Sequence, residues 1–293
     1  MDLISPGNRP RSVRDVLVLL AERGLDVAVI GPAGGGTGRA YEVEIQGRRR
    51  ILKWQEPEEH GTPLPEVAHV LTMLHDKQYP VPGYEVLLDD PIEISVQEPL
   101  PGASTDALPD SVRDNLDQLI ELQAGIGPLS KEDWGVRLQQ VTLNGAPTWC
   151  RHDSLEKHSS CTRDLWHRAR SMARTVDITA IRNGDVVHMD YHHRNILQRK
   201  SQVTGVVDWE GLECGDRGFD RFTLAFYSGV AGLANSRRRD WLADLTKGSC
   251  ADAAALYIAH LAIRSVDWAI RNETESDVAQ WLGWSNDAFE LIA

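Results

Sequence analysis

His188-Met189-Asp190-Tyr191-His192-His193-Arg194-Asn195-Ile196-Leu197, with Val206-Val207-Asp208-Trp209-Glu210 shortly after it, decides the reading of this chain. Short apolar segments, Val186–Met189, Ile196-Leu197 and Val203–Val207, flank a polar loop. Such a texture of one loop, two small strands and a turn brings three oxygen donors together. Phosphoryl transfer from a metal–nucleotide needs such a set. One carboxylate orients or accepts the proton of the attacking hydroxyl, and other hard oxygens hold Mg²⁺ against the phosphates. Asp190 suits the first task. Asn195 and Asp208 suit the second, as an amide oxygen and a carboxylate.

The pattern H-x-D-x-x-x-x-N, then an apolar strand ending in D-W-E, resembles the aminoglycoside phosphotransferase/choline kinase superfamily, relatives of the protein kinases. Gly215-Asp216-Arg217-Gly218-Phe219-Asp220 resembles the G-D-x-x-x-D stretch that follows in that family. The resemblance implies Asp190 as the catalytic residue and His188 beside it as a brace for the metal-binding segment. It implies that Asp216 supports the catalytic loop. Met189 departs from the pattern, since the family usually has glycine there.

Toward the N-terminus, Gly34, Gly35, Gly36 and Gly38 lie between two strands, where backbone N–H groups can approach phosphate without a Cβ in the way. Lys53 falls on the next strand, Ile51–Trp54, where a kinase has its phosphate-binding lysine. Glu66 opens the following helix, placed to pair with Lys53, although Glu58 and Glu59 lie nearby. The backbone around Gln97 and Glu98 is expected at the base edge of the nucleotide. The cofactors implied are ATP (or GTP) and Mg²⁺. The fold implied is α+β and bilobal, protein-kinase-like. Residues 1–102 form a small β-rich nucleotide-binding lobe ending in a hinge at about 97–102. Residues 103–293 form a larger, mainly helical catalytic and acceptor-binding lobe.

Periodicity agrees with that division. Ser12 reads as a helix cap before Val13, Val16, Leu17 and Leu20, with Gly24 as the stop. Asp26–Ile30, Tyr41–Ile45, Arg50–Trp54, Tyr84–Leu88 and Ile92–Gln97 read as strands. Pro63 and Pro65 bracket a helix start whose buried face is Val67, Val70, Leu71 and Leu74. Glu98-Pro99-Leu100-Pro101-Gly102 breaks all periodicity. Beyond it, Val112, Leu116, Leu119 and Ile120 mark a helix, and a mixed region runs to about Asn183. Trp241–Leu245, Ala253–Ile270 and Val278–Leu291 read as helices.

The chain has 293 residues and a formal net charge of −12, the wrong sign for a nucleic-acid binder or an anionic membrane surface. No apolar run reads as the roughly 20 residues a membrane span needs, and the first residues lack a signal-peptide layout, so the expected compartment is the cytoplasm. Cys150, Cys161, Cys214 and Cys250 form no C-x-x-C pair and read as thiols. The expected partner is a small-molecule hydroxyl acceptor. The acidic balance, with Asp267, Glu273, Glu275 and Asp277 near Trp268, Trp281 and Trp284, suits a cationic one, while a solvated helix face explains those residues equally well. No nucleic-acid or membrane partner is expected, and the chain is read as a monomer or homodimer.

Resistance or self-protection against an antibiotic is the leading functional expectation. The acceptor would be an aminoglycoside, a cationic peptide or another natural product. A metabolic kinase for a sugar, an amino alcohol or homoserine is the second reading. A catalytically inactive kinase-like binder is the third, though the lysine, the catalytic aspartate and the metal aspartate are all in place. A transition-metal site from His188, His192 and His193 fits no known ligand spacing. Without H-R-D, D-F-G and A-P-E segments, a protein-kinase activation loop is not expected.

Overall fold

The structure, a computed structural model, describes residues 12–34, 39–55, 62–89, 92–104, 107–127, 133–147 and 149–292. The chain divides into two compact units, Met1–Pro101 and Gly102–Ala293.

Unit 1 begins with helix α1 (Val13–Glu22). Its start is a reciprocal cap: the Ser12 hydroxyl accepts from the Asp15 N–H at 3.4 Å, and the Asp15 carboxylate accepts from the Ser12 N–H at 2.9 Å. Strands β1 (Val27–Pro32), β2 (Ala40–Ile45) and β3 (Arg48–Gln55) follow, then helix α2 (Leu64–Asp76) and strands β4 (Tyr84–Leu88) and β5 (Glu93–Gln97). The strands form one antiparallel sheet in the order β1-β2-β3-β5-β4. Val43, Leu52, Trp54, Ile94 and Val96 bury one face of it with Val16 and Leu20 of α1. Helix α2 has Pro63 at its N-cap and no side-chain cap of its own. The buried carboxylate of Glu93 does part of that work from β5. It accepts from the Leu64 N–H at 3.4 Å and also from the Gln55 amide.

Unit 2 opens at Gly102, with φ +113°, where a Cβ would meet Thr204 Oγ1 at 2.5 Å and the Gln198 carbonyl oxygen at 2.8 Å. Only glycine satisfies both the dihedral and the space. Strand β6 (Ala103–Ser104), helices α3 (Asp110–Glu121), α4 (Trp134–Asn144), α5 (His152–His158) and α6 (Ser160–Thr175), and strand β7 (Asp185–Val187) come next. The hairpin of β8 (Ile196–Arg199) and β9 (Gln202–Val206) pairs with β6, and β10 (Glu213–Gly215) pairs with β7. Helices α7 (Gly218–Tyr227), α8 (Asn235–Gly248), α9 (Ala251–Asn272) and α10 (Glu275–Phe289) complete the unit.

Two expectations need correction. The segment read as mixed up to Asn183 holds three helices. Helix α6 escapes a periodicity reading because its buried stripe is narrow, Leu165, Ala169 and Ala173, on an otherwise polar, arginine-rich helix. Helix α9 is also longer and more apolar than expected, with a window of mean hydropathy 1.2. It is long and apolar enough to cross a membrane by length and composition. In this fold it is the central helix of unit 2, 78% buried over that window, with α4, α5, α6 and α10 packed around it.

Candidate active site

The catalytic segment leaves β7 at Val187 and returns as β8 at Ile196. Between them only a single 3-10 turn, His193–Asn195, is regular structure, so side chains must hold the rest. His188 is fully buried. Its Nε2–H donates to the Val207 carbonyl at 2.9 Å, while its Nδ1 accepts from the Asp190 N–H at 3.3 Å. Both contacts suit the neutral ring. Burial pushes the His188 pKa down, outweighing the raising effects of Val207, Asp190 and Asp208. Its ring also packs on Trp209, with centroids 4.5 Å apart. His188, expected as a brace for this segment, ties the residue preceding Asp208 to the Asp190 N–H from a fully buried position.

Asp190 is the open group, with its side chain 42% exposed. Its Oδ1 accepts from Arg264 Nη2 at 2.7 Å. Its Oδ2 lies 3.2 Å from His192 Nε2 and 3.4 Å from Asn195 Nδ2. His192 Nδ1 accepts from the Arg194 N–H at 3.3 Å, which leaves the ring proton on Nε2, aimed at Asp190. Desolvation works to raise the Asp190 pKa, but His192, Arg264 and His188 outweigh it and hold the carboxyl well below the usual range. Asp190 is ionised at neutral pH and ready to orient a hydroxyl.

Asn195 and Asp208 are brought to adjoining chain ends by the hairpin. Ile196 pairs with Val206, and the Val207 N–H donates to the Asn195 carbonyl at 3.0 Å. Asn195 Nδ2 donates to the Asp190 carbonyl at 2.9 Å, so the remaining Oδ1 is the atom that can meet a cation. Asp208 sits in the left-handed region, φ +74° and ψ +50°, a strained conformation common at functional turns. An amide oxygen and a carboxylate fit Mg²⁺, whose other positions go to phosphate and water. The transition-metal alternative does not fit, because the ring nitrogens of His188 and His192 already meet protein atoms.

The support expected of Asp216 falls elsewhere. Asp216 accepts from the Gly218 N–H at 2.8 Å and from the Tyr257 hydroxyl at 3.0 Å, at the start of α7. Asp220, fully buried on α7, holds the catalytic loop. It accepts from the N–H groups of His188 at 2.8 Å and Met189 at 3.2 Å, and from Gln123 Nε2 at 2.8 Å. The sequence signal was the second aspartate of the same motif. Arg264 was missed altogether. The flag it offered was a charge within the apolar run Ala253–Ile270.

The acidic C-terminal residues are largely committed to structure. Asp267 is fully buried and pairs with Arg271 at 2.8 Å. Asp277 closes the cap of α10 with Thr274, and Glu275 lies 3.3 Å from His158. Glu273 accepts from the Trp281 indole at 3.0 Å, and burial pushes its carboxyl up. Trp281 and Trp284 are buried, while Trp268 is exposed. His193 is buried. The four cysteines are free thiols, and burial pushes Cys150 up to about 12.

In unit 1, Lys53 lies in β3 between Ala40 of β2 and Ser95 of β5, and Glu66 lies in the first turn of α2. Gln97 is buried at the end of β5, and the Glu98 N–H donates to the Gly83 carbonyl at 2.8 Å. Gly34 has φ +84° and open space around its Cα. Gly35, Gly36, Gly38, Glu58 and Glu59 lie outside the described residues.

The profile of the phosphotransferase enzyme family (APH) matches residues 28–256, most of the chain. The chain belongs to this family and is a phosphotransferase of kinase-like α+β fold. Among solved structures it is similar to a thermostable mutant of aminoglycoside phosphotransferase APH(4)-Ia in ternary complex with AMP-PNP and hygromycin B. The TM-score is 0.66 at 14% identity, covering 95% of this chain and 99% of that one. It is also similar to the choline kinase LicA from Streptococcus pneumoniae, with TM-score 0.58 at 13% identity, covering 96% and 98%. A putative aminoglycoside phosphotransferase from Ralstonia eutropha JMP134 gives TM-score 0.56 at 12% identity, covering 96% and 98%. No curated protein matches the chain.

Proposed function

We propose that this protein moves the γ-phosphoryl group of ATP (or GTP) to a hydroxyl of a small molecule, and that the acceptor is a natural-product antibiotic. The observation that carries the transfer is Asp190: an ionised, half-open carboxylate beside an Asn195–Asp208 pair suited to Mg²⁺. In this reading Asp190 orients the acceptor hydroxyl, Asn195 and Asp208 hold Mg²⁺, and His188 and Asp220 hold the loop. The glycine turn from Gly34, Lys53 with Glu66, and the Gln97-Glu98 backbone serve the nucleotide. Bound Mg²⁺ supplies neutralisation of phosphate charge. Catalysis is then mainly positioning and electrostatics. Neighbours of the same fold that carry ADP, AMP-PNP or AMP support the nucleotide assignment. The cytoplasm, where nucleoside triphosphates are supplied, is the compartment this reaction needs.

A metabolic acceptor is the second reading. Asp267 is buried against Arg271 and Asp277 closes the cap of α10, which thins the acidic wall a polycation would want, while Glu275 stays exposed. One experiment separates the readings. Mg·ATP and Mg·GTP turnover is measured against a panel of hydroxylated antibiotics and small metabolites, with product mass as the readout. A gain of one phosphate on an antibiotic supports the first reading, and on a metabolite alone the second. Nucleotide binding with no phosphorylated product on any member would count against both.

A further inference from the structure

We propose that Arg264 of α9 is the positioning residue for Asp190, an inference that rests on the phosphotransferase reading above. Its guanidinium spans two successive residues of the loop. Nη1 donates to the Met189 carbonyl at 2.7 Å, and Nη2 donates to Asp190 Oδ1 at 2.7 Å. The planar fork of arginine makes this geometry specific, and lysine has only a point charge to offer.

The span matters because the loop is strained where Arg264 grips it. Met189 has φ +71°, a conformation that costs a residue with a Cβ about 1–2 kcal/mol. Asp220 holds the N–H side of Met189, and Arg264 holds its carbonyl side. Asp220 thus holds the peptide before Met189, while Arg264 and His188 Nδ1 hold the carbonyl and N–H of the peptide after it. With Oδ1 held by Arg264 and Oδ2 facing His192 and Asn195, the plane of the carboxylate is fixed, and its 42% exposed side chain is presented to a hydroxyl in one orientation.

Arg264 is itself held firmly. Its side chain is 13% exposed, beside the Tyr227 hydroxyl, which also accepts from the Ser265 hydroxyl at 3.2 Å. Nearly one turn further along α9, buried Asp267 accepts from the Arg151 N–H at 2.9 Å and pairs with Arg271. That contact fixes α9 against the start of α5. The guanidinium is therefore delivered from a packed helix to an irregular loop, the arrangement that keeps a catalytic group within tight tolerance.

The test is Mg·ATP consumption, read as ADP formed, with a pool of hydroxylated natural products and polyols as acceptor. Arg264→Met is expected to lower kcat by about 10²-fold, the cost typical of a misplaced catalytic group, with KM for ATP within about threefold. Millimolar guanidinium, but not equal NaCl, should restore part of the rate. Arg264→Lys should fall between. In an Asp190→Asn background the Arg264→Met change should cost little further, since Arg264 acts through Asp190. Wild-type turnover with an unimpaired Arg264→Met variant overturns the inference alone. So does a loss equally large in the Asp190→Asn background, or a fall in kcat that salt restores as well as guanidinium. Absence of ADP formation by the wild-type protein overturns the phosphotransferase reading, and this inference with it.

Discussion

The sheet of unit 1 and the catalytic loop of unit 2 are held in place by different means. In unit 1, Lys53 is placed by backbone register, between Ala40 and Ser95 on neighbouring strands. In unit 2, Asp190 is placed by side chains from remote elements: Asp220 on α7, Arg264 on α9 and His188 tied to Val207. Register is a local consequence of strand pattern and turn chemistry. A loop with no ladder depends on a few long-range contacts, each with a large effect on geometry. Function has been built where the backbone is least able to hold itself.

The sharpest way to break this contrast is to separate chemistry from support within the loop. Asp190→Asn should reduce turnover by roughly 10²- to 10⁴-fold while nucleotide binding, measured by calorimetry, stays within a fewfold. Near-normal turnover would remove Asp190 from its role. Asp220→Ala should do the reverse in kind. It leaves the buried His188 N–H, the part-buried Met189 N–H and the Gln123 amide without their acceptor, at a cost of about 3 kcal/mol in urea unfolding. If Asp220→Ala were as stable as the wild type, the loop would be held by something other than these contacts.

Acid provides a third probe. Burial depresses the pKa of fully buried His188 and His260, the latter well below the ordinary value. Below about pH 6.5 the unfolded chain gains a proton at each that the folded chain refuses, so stability falls with pH. Asp220 opposes this. Burial raises it to about 7, so between about pH 4 and 7 the folded state keeps a proton that the unfolded state has lost. His152 is held down by burial in the same way, and Glu273 is raised like Asp220, so the histidines outnumber the carboxyls and stability falls between about pH 6 and 5. All of these groups lie in unit 2. Urea midpoints at the two pH values, followed by probes in each unit, should show unit 2 losing stability first. A midpoint that rises on acidification would reverse the assignment.

The smallest effect is expected at Met189. Glycine relieves the φ of +71° but gives up the thioether's packing on the helical core of unit 2. Met189→Gly should shift thermal stability by less than about 1 kcal/mol, with a slight gain. A clear loss would mean that packing, not strain, governs this position.

Much of the molecule could be read from the chain. The Ser12 cap, the strands of unit 1 and the break at Gly102 follow from local rules, because capping, alternation and turn chemistry act within a few residues. That Asp190 and Asn195 meet, and that Asn195 and Asp208 lie at adjoining strand ends, was legible too, because one loop and one hairpin set their spacing. Helix α6 was not, since its buried stripe is too narrow to stand out from its polar surface. The structural roles of Asp267 and Asp277 were equally hidden, because a carboxylate on a helix looks the same whether it meets solvent, a cap or an arginine.

Sequence by itself thus determined the chemistry available: which oxygens, in what order, on what kind of loop. Only the tertiary structure decided who holds them. Asp220 rather than Asp216 supports the loop, and Arg264 reaches Asp190 across 74 residues. Hydrogen bonds between residues so far apart leave no periodicity in the chain. They exist only once α7 and α9 have packed and brought a buried charge within bonding distance of the loop.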